Sequence, residues 1–366
     1  MIRLIRRADV TAIHSLISIA VAAVLTLVIS TIVLFLTAKA PVDALMQLLT
    51  YPYQGGTVIV QWSKALNMAA YLGVIGLGLS ICYRANVWNI GAEGQFAMGG
   101  IGAFGTWLLL GSPTAWWAIP CLIMGGAFAG LLWASIPALL KTQANTNELL
   151  TSLMLVYVAA QTLFFVSNGP WQAPVRYSPS QTVFLPESVQ LNAIIPGVPT
   201  FHMGLPIALG LFVVIALLVL YTPFGYRLKV TETTPRAARF AGYSPRVTVW
   251  AVFLLSGAMA GAMGAIYLMG DIGYVTEESN FLRGFGFSAI VVAFLGRLHP
   301  VGILLAALLL GYVAGGASWI QANLREDDSI AGFIEVIALM STLASALFLQ
   351  YRVQWRGFAT QPQENR

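Results

Sequence analysis

Long apolar segments recur along the whole chain and limit its possible folds more than any other feature. The run 204–222, for example, has no charged residue and is long enough to cross a bilayer as a helix, which takes about 20 residues. Apolar residues make up 58% of the 366 residues and charged residues only 9%, too few to cover a water-facing surface. Backbone groups find no water in lipid and must bond within the segment. The sequence therefore predicts an all-α, polytopic transmembrane bundle forming one domain over residues 1–366.

About ten spans can be counted from these apolar runs. They are 13–36, 65–83, 94–110, 118–140, 149–167, 204–222, 247–269, 285–296, 300–322 and 330–350. Arg3, Arg6 and Arg7 precede the first span, and basic flanks stay in the cytoplasm. With this orientation most of the 19 Lys and Arg residues face the cytoplasm. We therefore expect cytoplasmic N- and C-termini, outer loops at 37–61 and 168–203, and a long inner segment at 223–246.

Two further patterns concern the loops and the packing of the helices. Residues 42–49 are amphipathic and could lie along the membrane surface, whereas the many prolines of 168–203 exclude a long helix there. Small residues also recur at four-residue spacing, which lets helix backbones approach closely in lipid. These pairs are Gly126 with Gly130, Gly257 with Gly261, and Gly311 with Gly315.

A polar segment at 84–95 joins two apolar runs almost without a hydrophilic spacer. Asn86, Asn89, Glu93 and Gln95 are costly in hydrocarbon and indicate a substrate pathway when they face protein or water. Gly91 and Gly94 permit a break in the helix. A tight cytoplasmic turn with ordinary helix caps explains the same residues equally well.

The second half of the chain contains a similar interrupted apolar segment. A short apolar run from residue 285 ends at Gly296, and Pro300 begins the next span. Two interrupted segments, one in each half of a transporter, indicate its central pathway. The sequence thus predicts a broken helix in each half, with breaks at Gly91, Gly94, Gly296 and Pro300.

The inner segment contains a short helix with clear boundaries. Thr234 could be its N-cap and Pro235 its first residue, while Gly242 could close it in a left-handed conformation. The helical spacing places three apolar residues on one face and two arginines beside it; these are Ala237, Phe240, Ala241, Arg236 and Arg239. We interpret this helix as a docking element. A solvated linker is the alternative.

Several functional classes leave no trace in the sequence. No Gly-Lys dipeptide occurs, so the chain has no nucleotide-binding P-loop, and its three histidines are scattered. We therefore predict no catalytic residue, no metal site, no cofactor and no nucleic-acid binding. Glu335 is a carboxylate within the last span and a second candidate, after Glu93, for contact with a substrate.

Asn145 and Glu148 resemble a capping box at the start of the fifth span.

Three strings in this order and spacing resemble those of a known family. They are Asn-Ile-Gly-Ala-Glu-Gly-Gln at 89–95, Pro-Arg-Ala-Ala-Arg at 235–239 with Gly242, and Leu-Gly-Arg-Leu-His-Pro at 295–300. The chain resembles permease subunits of bacterial ABC importers of the branched-chain amino acid and simple-sugar type, and within them the nucleoside branch. The lead-in Thr-Glu-Thr-Thr at 231–234 departs from the Gly-Glu-Asn-like pattern common in the family.

The resemblance implies a translocation subunit of the inner membrane, without enzymatic activity of its own. It implies a separate ABC ATPase that docks on the coupling segment 223–246, a second related permease as heterodimer partner, an extracytoplasmic substrate-binding protein and surrounding membrane lipid. It implies nucleosides as the solute, with simple sugars and nucleobases as alternatives. An ion-coupled secondary transporter remains a rival interpretation; it would need carboxylates or histidines within the membrane.

Overall fold

The fold is a bundle of helices, as the apolar runs predict. The computed structural model describes the chain except for residues 1, 7–11, 38–40, 54–57, 175–180, 278–280, 325–332, 335, 342–343, 346–350 and 356–366. The first half contains α1 (Ala12–Thr37), α2 (Pro41–Thr50), α3 (Val58–Arg84), α4 (Ala92–Leu109), α5 (Ala118–Ala144) and α6 (Glu148–Asn168). The second half contains α7 (Gly204–Tyr221), α8 (Pro223–Thr233), α9 (Pro235–Phe240), α10 (Pro245–Tyr267), α11 (Phe285–Leu295) and α12 (Pro300–Leu324). Short 3-10 turns occur at Tyr51–Tyr53 and Glu187–Val189.

Six of the described helices are long and apolar enough to cross a membrane. They are α3, α5, α6, α7, α12 and the helix formed by α10 with its π-helical extension Leu268–Ile272. The helices α1 and α11 contain shorter apolar stretches, Ala20–Leu36 and Phe285–Leu295. The predicted tenth span, 330–350, is described only in helical pieces, and Glu335 lies outside the described residues. A multi-pass helical fold is thus confirmed, while the number of ten spans stays a prediction.

One element was not predicted. The terminal segments form two strands, β1 (Ile2–Arg6) and β2 (Tyr351–Trp355), which pair antiparallel. Their pairing brings two segments together that the predicted topology places on the same side of the membrane.

Glycines bring the backbones of α5 and α10 into direct contact. A Cβ atom on Gly130 would lie 2.3 Å from the carbonyl oxygen of Gly257, and one on Gly261 would lie 2.3 Å from that of Gly126. No side chain fits at these distances, so the two backbones touch directly. The four-residue spacing of the glycines therefore indicates the packing face correctly. Around this pair, α4 packs on both helices, and α3 packs on α10, α11 and α12.

The connecting segments divide between two ends of the bundle. At one end, Arg84 lies 3.9 Å from the carboxylate of Glu232. At the other, Asn67 Nδ2 donates to the carbonyl oxygen of Thr200 at 2.8 Å. Segments predicted to share a side of the membrane thus lie together. We call the end with Arg84 the inner end and the end with Thr200 the outer end, following the predicted orientation.

The loop predictions hold in outline, with one correction. The amphipathic stretch forms α2, with Ala44 and Leu48 buried, and the proline-rich outer loop forms only one 3-10 turn and isolated bridges in its described part. The capping box was placed two residues too early. Asn145 ends α5 in a left-handed conformation, and Asn147 is the N-cap of α6, its Oδ1 accepting from Leu149 N at 3.0 Å.

Candidate functional site

Asn89 is the centre of a buried hydrogen-bond network between α3 and α4. Its amide pairs reciprocally with that of Gln95, at 3.1 and 3.2 Å, and donates to Ser256 Oγ of α10 at 3.2 Å. Its Oδ1 also accepts from the backbone N–H of Gly91, and its carbonyl oxygen accepts from Tyr83 Oη. These bonds provide partners for polar groups between α3 and α4, where helical hydrogen bonding is interrupted. The predicted pathway residues Asn89 and Gln95 therefore hold three helices together.

Glu93 lies in the first turn of α4 and is buried, with 2% of its surface exposed. Its carboxylate accepts hydrogen bonds from the backbone N–H groups of Gly284, at 2.8 Å, and Gly286. Gly284 is the N-cap of α11 and Gly286 lies in its first turn, where free N–H groups and the helix dipole favour a negative charge. The Glu93 side chain therefore caps the N-terminus of α11, the interrupted helix of the second half.

The two glycines of the first predicted break differ in place. Gly91 is the N-cap residue of α4, but Gly94 lies within the first turn of that helix and is not part of the break. A Cβ at Gly91 would lie 2.9 Å from the Ser152 carbonyl oxygen, and one at Gly94 would lie 3.0 Å from Val156 Cα. Both glycines are thus required by the close approach of α6.

Gly296 and Pro300, the residues predicted for the break in the second half, lie at the turn between α11 and α12. Gly296 is the C-cap of α11, Arg297 and Leu298 have left-handed φ angles of 55° and 57°, and Pro300 begins α12. A Cβ at Gly296 would lie 2.3 Å from the backbone nitrogen of Ile303, so the reversal is too tight for a side chain. In this turn, burial and then the charge of Arg84 lower the pKa of His299.

Asn86 stands apart from the other predicted pathway residues. It has a left-handed φ of 55°, is exposed, and lines a cavity of about 440 Å³ at the inner end. The same cavity is bounded by Lys141, Thr231, Ala238 and Tyr243, so it lies directly behind α9.

The predicted docking helix α9 exists and closes as expected. Gly242 has a φ of 81°, and the N–H of Tyr243 bonds back to the carbonyl oxygen of Ala238 at 3.0 Å. Thr234 precedes the helix, and its Oγ1 donates to the Val230 carbonyl oxygen of α8. Ala238 is buried, whereas Phe240 is 93% exposed.

The remaining predicted docking residues give a mixed picture. Arg236 and Ala241 are exposed. The side chains of Pro235, Ala237 and Arg239 lie outside the described part of the chain, so the predicted apolar face is seen only at Phe240 and Ala241.

Sequence reasoning missed a second cavity, of about 370 Å³, at the outer end. Small-molecule sites measure roughly 300–1,000 Å³, and this one combines aromatic rings with a few polar groups, as such sites do. Its lining comes from α3, α10, α11, α12 and the outer loop, and includes Asn67, Tyr71, Asp271, Arg283 and Phe285. Of the four residues predicted for the pathway, none lines it.

A chain of polar contacts supports this outer cavity. Tyr71 Oη donates to Asp271 Oδ2, and the same oxygen lies 3.6 Å from His202 Nε2. His202 is buried; its Nδ1 accepts from Gly204 N at 3.1 Å, and its Nε2 lies 3.1 Å from Asn67 Nδ2. In the sequence, only Asn67, an amide inside an apolar run, could have indicated this cavity. Asp271 and His202 are remote from it in sequence. Within the described residues, no group of three His, Cys, Asp or Glu side chains could hold a metal ion.

Comparison with known proteins identifies the family. Residues 61–351 match the family described as branched-chain amino acid transport system / permease component. A glucose ABC transporter permease of Haloferax volcanii is 30% identical, covering 80% of this chain and 78% of the relative. A guanosine ABC transporter permease of Bacillus subtilis is 31% identical over 66% and 69% of the two chains. A nucleoside ABC transporter permease of Lactococcus lactis is 28% identical over 69% and 71%. The chain therefore belongs to this family and is a multi-pass membrane permease of an ABC transporter, not an enzyme.

Proposed function

We propose that the chain forms one half of the membrane channel of an importer for nucleosides in the bacterial inner membrane. Two observations agree on nucleosides as the substrate. The segment 89–95 resembles the nucleoside branch, and two of the relatives are named for guanosine and for nucleosides. The glucose-named relative makes sugars the second candidate. Nucleobases are a third, since they share the planar ring.

The proposal includes three protein partners that the family membership suggests. A separate ATPase supplies the energy, a second related permease completes the channel, and an extracytoplasmic binding protein delivers the solute. Two guanosine ABC transporter permeases of Bacillus subtilis and two nucleoside ABC transporter permeases of Lactococcus lactis resemble this chain, which supports a heterodimer.

The geometry of α9 supports coupling to the ATPase through this helix. Ala238 anchors the helix on the bundle, with 4% of its surface exposed, while the ring of Phe240 projects from the inner end. An exposed aromatic ring on a short helix closed by Gly242 can enter a groove with little loss of conformational entropy. A solvated linker has no reason to hold a phenylalanine in this position.

The hydrogen bonds of Glu93 argue against the rival ion-coupled transporter. A carboxylate that carries protons must exchange them with the transport path. Glu93 instead binds two backbone N–H groups of α11 and is buried. Those bonds suit a structural clamp between α4 and α11.

An uptake experiment tests the substrate. Cells that contain the complete transporter should take up labelled guanosine, and the same cells without this chain should not. Excess unlabelled uridine should compete, whereas glucose at the same concentration should have no effect. If deletion of the chain abolished glucose uptake and left guanosine uptake unchanged, the proposed substrate would be wrong.

A further inference from the structure

Asn67, one of the residues that line the outer cavity, has a buried acceptor with no partner. Asn67, only 3% exposed, donates through Nδ2 to the Thr200 carbonyl oxygen, which fixes the orientation of its amide. Its Oδ1 is buried and has no hydrogen-bond partner among the described residues. A buried acceptor without a donor is costly, so a group that brings a donor to this position is favoured.

A second acceptor group, the Asp271 carboxylate, belongs to another residue that lines the cavity. The Asp271 side chain is 28% exposed, and the Tyr71 hydroxyl, with its bond to Oδ2, holds it in place. Asn67 Oδ1 and the Asp271 carboxylate offer only acceptors, so their ligand must offer hydrogen-bond donors. Two neighbouring hydroxyl groups on a sugar ring fit this requirement.

The rest of the lining is aromatic and cationic. The rings of Tyr71, Tyr267 and Phe285 pack against one another with centroids 5.4 to 5.7 Å apart, and Trp319 lines the cavity as well. Arg283, which lies near Tyr267, and Lys64 both line the cavity. Aromatic rings favour a planar base, and the cations offer donors to its ring nitrogens and carbonyl groups.

We propose that the outer cavity is a binding site for the nucleoside within this permease. The ribose hydroxyls donate to Asp271 and to Asn67 Oδ1, and the base lies on the side of Phe285 and Trp319. The site receives the solute at the outer end before it passes inward. This inference rests on the proposed function, because it takes nucleosides as the solute.

Asp271→Asn tests the hydroxyl contact. The variant keeps an oxygen for Tyr71 but loses the charge that the ribose hydroxyls bind. The guanosine concentration for half-maximal uptake should therefore rise about tenfold, which corresponds to the loss of one charge-assisted hydrogen bond. Asp43→Asn, an exposed aspartate of α2 at the same end and away from the cavity, is the matched control and should match the unmodified transporter.

A protection experiment tests the site without relying on transport. Ser318 is exposed and lines the cavity, so Ser318→Cys should react with a maleimide in membranes containing the complete transporter. Guanosine should slow this reaction, whereas adenine or ribose alone at the same concentration should slow it much less. Asn192→Cys, exposed on the outer loop and outside the cavity lining, is the control and should react at the same rate with and without guanosine. Mass spectrometry at the introduced cysteine excludes labelling of Cys82 and Cys121.

The outcomes separate this inference from the proposed function. If the transporter takes up guanosine, but position 318 is not protected and Asp271→Asn has unchanged half-saturation, the site is wrong and the function stands. Protection by glucose and not by guanosine, together with glucose uptake, would overturn both. Protection by guanosine with a raised half-saturation concentration supports the site.

Discussion

The carboxylate of Glu93 in α4 accepts a hydrogen bond from the backbone N–H of Gly284, 2.8 Å away at the start of α11. This contact joins the two interrupted segments of the chain, which are 191 residues apart in sequence. The next residue after Gly284 is Phe285, whose ring lines the outer cavity. Glu93 therefore controls the position of a cavity wall that it does not itself line.

Replacement of Glu93 should reduce transport through this contact. Glu93→Gln keeps one acceptor but turns an amide NH₂ toward a backbone N–H, and Glu93→Ala leaves both N–H groups of α11 unpaired. We expect a loss of stability of about 1–3 kcal/mol, larger for alanine. Thermal unfolding in detergent and guanosine uptake, measured on the same preparations, check this prediction. Wild-type uptake by Glu93→Ala would show that the segment 84–95 is only a turn.

The contact between α5 and α10 should tolerate no side chain. In Gly130→Ala the new Cβ would lie 2.3 Å from the Gly257 carbonyl oxygen, so the helices must separate, at a cost of about 1–3 kcal/mol or more. Gly210→Ala in α7 is the matched control, because no atom lies within 4 Å of its Cβ position. Expression level and melting temperature should fall for Gly130→Ala only. Equal behaviour of the two variants would contradict this packing.

Substitutions at the end of α9 should disturb the ATPase and leave the membrane domain intact. Ala241→Glu places a charge beside Phe240, on the surface that we assign to docking. Burial of an unpaired charge should weaken association with the ATPase by a few kcal/mol. A solvated linker would show an effect within about half a kcal/mol. Co-purification of the ATPase measures the difference, and Trp116→Ala, which removes an exposed aromatic ring at the outer end, serves as control.

The position of α9 also predicts a cross-link. Ala241→Cys should trap the ATPase and no extracytoplasmic protein, because Ala241 is exposed at the inner end. Labelling of this cysteine in intact cells by a reagent that does not cross the membrane would exclude both the docking and the predicted orientation.

The membrane part of the transporter should contain two different permeases. A channel that lies between two bundles needs a second bundle beside this one. Purification through a tag on this chain should therefore recover a related second permease in equal amount, together with the ATPase. A transport-active complex with two copies of this chain and no other permease would contradict the heterodimer.

The sequence predicts the helices well because apolar runs and glycine spacing are local signals. Gly130 and Gly257 show this, since each could be assigned to a packing face from its own segment. Local signals can also compete: of Asn145 and Asn147, both good caps, only the second caps α6 because the first ends α5 in a left-handed conformation. The prediction of a cap two residues too early follows from this competition.

The functional contacts were harder to predict because they join distant segments. Glu93 was singled out as a polar residue in an apolar context, but its partner is a backbone N–H, which no residue type reveals. The outer cavity was missed for the same reason. Asn67, His202 and Asp271 come from three separate parts of the chain, and only the fold brings them together.

We expect this permease to move nucleosides with energy from a separate ATPase. Proteoliposomes containing the purified complete transporter and its binding protein should accumulate labelled guanosine only when hydrolysable ATP is present on the ATPase side. This chain alone, which lacks a P-loop, should neither hydrolyse ATP nor accumulate guanosine. Accumulation of guanosine by this chain alone under a proton or sodium gradient, without ATP, would instead identify an ion-coupled transporter.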